Sequence, residues 1–284
     1  MKKVIVCDSG LGGLNVAARF FSKEAQDGEP CDIVYFNAYP SMDCGFNDLP
    51  SKLSQEMMFR NVFEGMNAFK PDCCLIACNT LSVIYERLRA WFTPPFPVIG
   101  IIDTAVNGMA AALKEAPDAS VLILGTNSTV ESGVYSYRLA KQISAKRIRS
   151  LACPGLATRL EKDPAAQEIR ASIAEYAQQA ALLWKTPPKK LFLSLCCTHF
   201  EYATTFWLEE FKRVFGDEVS IVNPNELLAA NICAKSFAYH SRIDFFPGAQ
   251  QNICAYFKNV APDISEALKN AKLESGLFNF EYKK

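Results

Sequence analysis

The apolar residues of this chain fall in short continuous runs rather than in strict alternation with polar residues. Runs rich in β-branched side chains are typical of strands in parallel sheets, because both faces of such sheets are covered. The runs predict strands over Val4–Cys7, Ile33–Phe36, Cys73–Ala77, Val98–Ile102, Val121–Leu124, Leu191–Leu195 and Val219–Val222. Helical spacing between the runs predicts helices over Leu53–Phe69, Ala105–Leu113, Ala166–Trp184 and Phe206–Phe215. This alternation predicts an α/β protein with mostly parallel, doubly wound sheets.

The clearest interruption of the pattern is the proline-rich stretch TPPFP at 93–97. Similar motifs occur on both sides of it in the same order. The segment VIVCDSGLGG (4–13) is similar to VLILGTNSTV (121–130), and CCLIACNT (73–80) is similar to LFLSLCCTH (191–199). One common offset places Cys78 on Cys197 and Ser9 on Ser128. The sequence therefore predicts two similar α/β halves, each with a polar loop after one strand and a cysteine after another.

Composition narrows the class of protein. The chain has 284 residues, of which 50% are hydrophobic and 21% charged, enough for one or two compact domains. Its 30 basic and 30 acidic side chains give a formal net charge of zero. That balance argues against binding to nucleic acid or to an anionic membrane. The first apolar run is too short for a signal peptide and no run is long enough to span a bilayer, so we expect a cytosolic protein.

The cysteines divide into two groups by position. The chain has 11 of them, an odd number, and in a reducing compartment they are free thiols, metal ligands or catalytic groups. Four lie inside apolar runs and are expected to be small buried residues: Cys7, Cys73, Cys74 and Cys196. Cys78 and Cys197 instead follow strands. In open α/β sheets ligands bind beyond the carboxyl ends of the strands, where Asp8 and Thr126 are also expected.

Three kinds of site are consistent with these residues. The glycines of Gly10–Gly13 could form a phosphate-binding loop, but a nucleotide fingerprint requires glycine where the chain has Asn15, and no Gly-Lys-Ser/Thr follows. A zinc site could draw on the clustered cysteines and His199. No C-x-x-C pair occurs among them, and adjacent strand residues face opposite ways, which disfavours tetrahedral closure.

The third kind of site uses two thiols as acid and base. Inversion of a carbon that bears an acidic hydrogen requires a base on one face and a proton donor on the other. A thiol has an ordinary pKa of about 8.5, close enough to neutrality to serve in either protonation state. Each thiol needs a neighbour that adjusts its acidity, and the sequence offers Asp8 for one and His199 for the other.

Several motifs resemble the signature segments of glutamate racemases, within the wider aspartate/glutamate racemase superfamily. The resemblance runs from residue 4 to about residue 230. It is carried by DSGLGGL (8–14), ACNT (77–80), PVIGIID (97–103), TNSTVESGVY (126–135), ACPGLATRLE (152–161) and CTH (197–199).

This resemblance implies two domains with a small-molecule amino-acid substrate between them. The first domain would comprise residues 1–97 and 219–284, and the second 98–218. It implies racemisation without cofactor or metal, which would make D-glutamate for peptidoglycan in the cytoplasm. The implied catalytic residues are Cys78 and Cys197, with Asp8, His199 and Glu161 as their partners. The implied substrate-binding residues are Ser9, Cys44, Gly45, Asn79, Thr80, Thr129 and Thr198.

The chain departs from the family pattern near the substrate. Residues 37–45 read NAYPSMDCG, so that Cys44 replaces a substrate-contacting tyrosine, and Tyr39 or Asn47 could fill the space that this leaves. Ser128 replaces a glycine, and Glu201 stands where the family has proline. Other functions stay open: a racemase for aspartate or another amino acid, a lyase or isomerase of the superfamily, or a non-catalytic binding relative. The oligomeric state is also open, with a homodimer as one candidate.

Overall fold

A computed structural model describes residues 1–22, 27–41, 45–229, 232–241, 244–245 and 247–271. The strands are β1 (Lys2–Asp8), β2 (Glu29–Asn37), β3 (Cys73–Ile76), β4 (Val98–Gly100), β5 (Ser120–Gly125), β6 (Ile148–Ala152), β7 (Leu191–Cys196), β8 (Val219–Val222) and β9 (Ile232–Ser241). The α-helices are α1 (Leu14–Arg19), α2 (Lys52–Asn67), α3 (Asn79–Leu88), α4 (Ile101–Glu115), α5 (Asn127–Glu131), α6 (Val134–Ala140), α7 (Leu156–Lys162), α8 (Gln167–Ala181), α9 (Thr204–Phe215), α10 (Pro224–Leu228), α11 (Ala249–Phe257) and α12 (Pro262–Lys269). Short 3₁₀ segments occupy Phe46–Asp48, Ala145–Arg147 and Thr198–Ala203.

The strands form two parallel sheets, which confirms the predicted fold class. The first has the order β4-β3-β1-β2-β9 and the second β6-β5-β7-β8. Strands β2-β1-β3-β4 therefore correspond in order to β6-β5-β7-β8. This shared order agrees with the repeat in the sequence, since β1 matches β5 and β3 matches β7.

The predicted domain boundaries do not follow the sheets at two strands. β4 was expected to open the second domain, but it pairs with β3 in the first sheet. β8 was expected to return the chain to the first domain, but it pairs with β7 in the second sheet. The return comes only at β9, which lies beside β2. If the chain is divided by sheet, the first half is left after β4 and entered again after β8.

Two strands, β6 and β9, were not predicted. Both lie at the edge of a sheet, where a strand has one neighbour and is only half covered. β6 has a single buried residue, and in β9 buried residues are interspersed with exposed ones. Neither strand therefore carries a continuous apolar run. The strand predicted over Val98–Ile102 also ends early, because α4 begins at Ile101.

A large hydrophobic core joins the two halves. It includes Val6 of β1, Leu124 of β5 and Leu195 of β7, together with Trp207 of α9. Three of the cysteines expected to be buried, Cys7, Cys74 and Cys196, are fully enclosed, and Cys73 is partly exposed. No helix in the described part of the chain is both long and apolar enough to cross a bilayer.

Candidate active site

A cavity of about 490 Å³ lies between the two sheets, at the carboxyl ends of their strands. Ser9 follows β1, Cys78 follows β3, Thr126 follows β5 and Cys197 follows β7. Because all these strands are parallel, the residues that follow them meet at one edge of each sheet. These residues therefore line one cavity, at the strand ends where the sequence predicts a ligand site.

The first thiol, Cys78, stands at the N-cap of α3. Its Sγ accepts a hydrogen bond from the backbone N–H of Leu81 at 3.4 Å and lies 3.1 Å from Ser9 Oγ. Burial raises the pKa of Cys78 to about 12, and the nearby carboxylate of Asp8 adds to this rise. The hydrogen bonds from Ser9 and Leu81 act in the opposite direction. Cys78 is therefore a protonated thiol at neutral pH.

The second thiol, Cys197, lies beside a histidine–carboxylate pair. Its Sγ is 3.9 Å from His199 Nδ1, and His199 Nε2 is 2.5 Å from Glu161 Oε2. Burial disfavours the imidazolium, yet the hydrogen bonds to Cys197 and Glu161 and the charge of Glu161 raise the pKa of His199 well above its usual value. His199 is therefore protonated at neutral pH, with its two ring nitrogens facing a thiol and a carboxylate.

Asp8 lies behind the cavity, and its side chain is fully buried. Its Oδ2 accepts a hydrogen bond from the Thr198 hydroxyl at 3.0 Å. Burial raises the pKa of Asp8 from 3.8 to about 6, although the charge of His199 and the Thr198 hydrogen bond oppose the rise. Asp8 was expected to partner Cys78. It lies near enough to influence that thiol electrostatically, while the hydrogen bond to Cys78 comes from Ser9.

Most of the expected substrate-binding residues line the cavity: Ser9, Gly45, Asn79, Thr80 and Thr198. Thr129 does not, because it is buried behind Thr126, with the two hydroxyls 3.1 Å apart. Thr126 lines the cavity in its place. Cys44 lies outside the described residues.

The side-chain amide of Asn79 has a hydrogen-bond partner at its oxygen but none at its nitrogen among the described residues. Its Oδ1 accepts a hydrogen bond from the Tyr135 hydroxyl at 2.5 Å. Its Nδ2 is buried and has no hydrogen-bond partner among the described residues. A buried amide donor without a partner is unfavourable, so this group is suited to bind an acceptor on a ligand.

Other residues around the cavity were given no role from the sequence. They are Asp48, Glu131, Cys153, Pro154 and Thr158, among others. Cys153, Pro154 and Thr158 lie within the motif ACPGLATRLE (152–161), which could have pointed to them, whereas no pattern in the sequence marks Asp48 or Glu131. Tyr39 and Asn47, considered as replacements for the family tyrosine, both line the cavity. The Ser128 hydroxyl donates to Asn47 Oδ1 at 2.6 Å and so connects the two halves across the cavity mouth.

The glycine-rich loop after β1 holds a side chain of the protein itself rather than a phosphate. The backbone N–H of Leu11 donates to Glu161 Oε2 at 2.9 Å. A Cβ on Gly10 would lie 2.4 Å from the same oxygen, and one on Gly12 would lie 2.4 Å from Thr198 Oγ1. The glycines therefore permit close contact between the loop and the second half, and the phosphate-loop interpretation is wrong.

The zinc interpretation also finds no geometric support. No group of three His, Cys, Asp or Glu side chains within the described ranges is arranged to hold a metal ion. The cysteines within β3 and β7 lie in a different environment from those that follow these strands. Cys74 and Cys196 are enclosed in the core, whereas Cys78 and Cys197 face the cavity.

Comparisons with known proteins agree with the fold and with the motifs. The sequence model of the family described as Asp/Glu/Hydantoin racemase matches residues 51–200. A glutamate racemase of Campylobacter jejuni is 27% identical over 227 residues, covering 80% of this chain and 82% of the relative. A glutamate racemase of Listeria monocytogenes is 29% identical over 280 residues, covering 93% and 94%.

Among solved structures, a glutamate racemase isoform of Bacillus anthracis superposes with a TM-score of 0.67 at 23% identity, covering 90% of this chain and 94% of that one. This likeness shows a shared fold of two α/β domains. The family match spans more than half of the chain and includes β3, β7 and both cavity thiols. The protein thus belongs to the Asp/Glu/hydantoin racemase family.

Proposed function

We propose that this protein interconverts L- and D-glutamate by acid–base chemistry at two thiols, without an organic cofactor or metal. One observation carries the proposal: Cys78 and Cys197 line the same cavity from opposite sheets, each with its own polar partners. A carbon held between them has one thiol on each face. Racemisation requires this arrangement, because the proton is removed from one face and returned to the other.

The protonation states of the two sites suit the reaction from L to D. Cys78 begins as a thiol because burial raises its pKa to about 12. Cys197 can serve as the thiolate, since the protonated His199 beside it stabilises negative charge on sulfur. Cys197 then takes the Cα proton of the L-enantiomer and Cys78 delivers its own proton to the opposite face. The reverse reaction starts with a Cys78 thiolate and a Cys197 thiol.

Neutral donors in the cavity are suited to hold the substrate carboxylates. The open Nδ2 of Asn79 and the hydroxyl of Thr80 are within the lining. The Ser9 and Thr198 hydroxyls also lie there, but their protons are engaged by Cys78 and Asp8. As negative charge develops on the α-carboxylate in the transition state, hydrogen bonds from such fixed donors become stronger. The positions of Asp8 and Glu161 behind the second site keep His199 and Thr198 oriented.

The choice of glutamate rests on the curated relatives, which are named glutamate racemases. A second candidate is another amino acid, aspartate included. Among the described residues, the cavity lining contains the carboxylates of Asp48, Glu131 and Glu161 but no lysine or arginine, and its His199 imidazolium is already paired with Glu161, which favours substrates with less negative charge. We further propose a cytoplasmic role in supplying D-glutamate for peptidoglycan. A thiol mechanism requires a reducing compartment, and none of the ten described cysteines is in a disulfide.

The direct test is racemisation of L-glutamate by the purified protein, followed by circular dichroism, with L-aspartate and L-alanine assayed in parallel. Cys78→Ser and Cys197→Ser should each reduce kcat/KM by at least about 100-fold, because one face loses its proton carrier. Unfolding curves establish that the variants are folded. Near-normal turnover in both variants would contradict the two-thiol mechanism. Activity on another amino acid with none on glutamate would retain the mechanism and replace the substrate.

A further inference from the structure

A buried acid outside the cavity is not used by the proposed mechanism. Glu201 lies in the 3₁₀ segment Thr198–Ala203, directly after the second thiol site, and its side chain is only 13% exposed. It does not line the cavity. A carboxylate with so little access to water is unfavourable unless it is paired and hydrogen-bonded.

Both carboxylate oxygens of Glu201 have partners. Oε1 is paired with the guanidinium of Arg19, the last residue of α1. Oε2 accepts a hydrogen bond from Asn225 Nδ2 at 2.7 Å. Asn225 lies in α10 and is fully buried. Glu201 thus joins the helix after β1 to the short helix after β8.

The same Asn225 amide reaches the site itself. Its Nδ2 also donates to the backbone carbonyl of Thr198, at 3.3 Å. Thr198 lies between Cys197 and His199, and its carbonyl receives a second hydrogen bond from Asn15 Nδ2, also at 3.3 Å. Two side-chain amides therefore hold the peptide group that connects Thr198 to His199.

Glu201 is one of two acceptors, with the Thr198 carbonyl, that determine which way the Asn225 amide points. Asn225 Oδ1 is buried and has no hydrogen-bond partner in the described structure. A reversed amide would place this oxygen against the Glu201 carboxylate, where two acceptors repel. The observed orientation leaves Oδ1 without a partner and presents the Nδ2 hydrogens to Glu201 and Thr198. A neutral glutamine at position 201 would remove this constraint, because its own amide could donate to Asn225 Oδ1.

We propose that Glu201 is a positioning residue for the second thiol site, acting through Asn225 on the Thr198 peptide and so on Cys197 and His199. The inference rests on the proposed two-thiol racemisation. Glu201 orients only the loop that carries Cys197, because its hydrogen bonds lead through Asn225 to Thr198 and not to Cys78. Its loss should therefore slow the proton transfer at Cys197 and leave the transfer at Cys78 unchanged.

The test compares Glu201→Gln with Glu226→Gln. Glu226 pairs with the same Arg19 guanidinium, at 2.9 Å, but its side chain is 57% exposed, and the Asn225 amide donates to Glu201 and Thr198 instead. It is therefore a matched control for loss of the ion pair. We expect Glu201→Gln to lower kcat/KM about tenfold and Glu226→Gln to change it less than twofold. Asn225→Ala should reproduce the effect of Glu201→Gln.

Isotope effects distinguish positioning from a general loss of structure. Since enantiomers have equal free energy in water, the ratio of the two kcat/KM values is fixed by the equilibrium, and kcat/KM must fall equally for both enantiomers. If the Cys197 step becomes slower, the deuterium isotope effect on kcat/KM should rise for the α-deuterated L-enantiomer and fall for the D-enantiomer. Unchanged isotope effects in Glu201→Gln, or an equal fall in activity in Glu226→Gln, would overturn the proposal.

Hydrogen exchange tests the role of Glu201 without relying on enzymatic activity, so its outcome does not depend on the proposed function. Backbone hydrogen exchange over residues 197–203 should be faster in Glu201→Gln than in wild type, and unchanged in Glu226→Gln. A wild-type protein that racemises none of the amino acids assayed would contradict the proposed function. The exchange rates would then still decide whether Glu201 holds the loop, and equal rates in all three proteins would overturn that role.

Discussion

At the scale of single residues, the second thiol site depends on a charge balance among three side chains. His199 lies between Cys197 Sγ and Glu161 Oε2, all three largely enclosed by protein. Burial disfavours the imidazolium, but the hydrogen bonds to Cys197 and Glu161 and the charge of Glu161 hold the pKa of His199 well above its usual value. Glu161 is itself oriented by the backbone N–H of Leu11 from the other half of the molecule.

Replacement of Glu161 by glutamine should therefore lower the pKa of His199. Since the imidazolium exists only below that pKa, the alkaline limb of kcat/KM should move to lower pH. Loss of a charge-assisted hydrogen bond of about 1.5–3 kcal/mol predicts a fall in activity of roughly 10- to 100-fold at pH 8. The pH–rate profile measures the first effect, and NMR titration of His199 measures its cause.

The chain has only two histidines, so His240 provides an internal reference in the same spectra. If the His199 titration and the pH–rate profile are both the same in Glu161→Gln and wild type, Glu161 does not control the charge of the histidine.

At the scale of elements, the loop between β1 and α1 is where the two halves come closest. A Cβ at Gly12 would lie 2.6 Å from His199 Nδ1 and 2.7 Å from the His199 backbone nitrogen. The His199 backbone cannot shift as easily as the end of a flexible side chain, so the β1–α1 loop as a whole would have to move. The glycine is needed here for close approach, not for an unusual backbone angle.

Gly12→Ala is expected to lower activity by about 100-fold or more while the protein remains folded, because displacement by about 1 Å is enough to misalign a reacting pair. Steady-state kinetics and a urea unfolding curve give the two readouts. Gly100→Ala is the control, since a Cβ there would meet Ser82 Oγ at an ordinary 3.4 Å. Equal activity in the two alanine variants would show that the β1–α1 loop can move without harm to the site.

At the scale of the whole molecule, the active site reduces stability at neutral pH. Asp8 is fully buried, and burial raises its pKa from 3.8 to about 6. A group whose pKa is higher in the folded state than in the unfolded state favours folding at low pH. That contribution is complete below pH 3.8 and is lost as the pH rises through about 6.

Asp8→Asn should consequently make the protein more stable at pH 8 while it impairs racemisation. A pKa difference of this size corresponds to about 3 kcal/mol at most, and the gain should shrink as the pH falls toward 4. The amide oxygen of asparagine can still accept the Thr198 hydrogen bond. Urea unfolding of both proteins at pH 4, 6 and 8 measures the difference. A gain in stability that does not vary with pH would have another origin than the Asp8 charge.

Much of the architecture followed from local pattern. The seven predicted strands and four predicted helices all correspond to elements of the structure, because buried parallel strands and amphipathic helices have periodic or continuous apolar residues. The repeat in the sequence also anticipated the common strand order of the two sheets. The edge strands β6 and β9 were missed because polar residues in β6 and exposed residues in β9 interrupt the apolar pattern. The sheet membership of β4 and β8 was missed because pairing partners are not encoded locally.

The sequence by itself determined which residues follow strands and thus which can reach a ligand: Asp8, Ser9, Cys78, Thr126 and Cys197. Only the tertiary structure decided how they are used. In the tertiary structure Asp8 lies behind the cavity, and Thr126 rather than Thr129 is in the lining. Folding also brings Glu161 within hydrogen-bond distance of His199. It also gave Glu201 its partners in α1 and α10. The physical reason is the distance along the chain between the interacting groups. Strand and helix formation depends on residues that are neighbours in the sequence, whereas burial, hydrogen bonding and pKa depend on groups that only folding brings together.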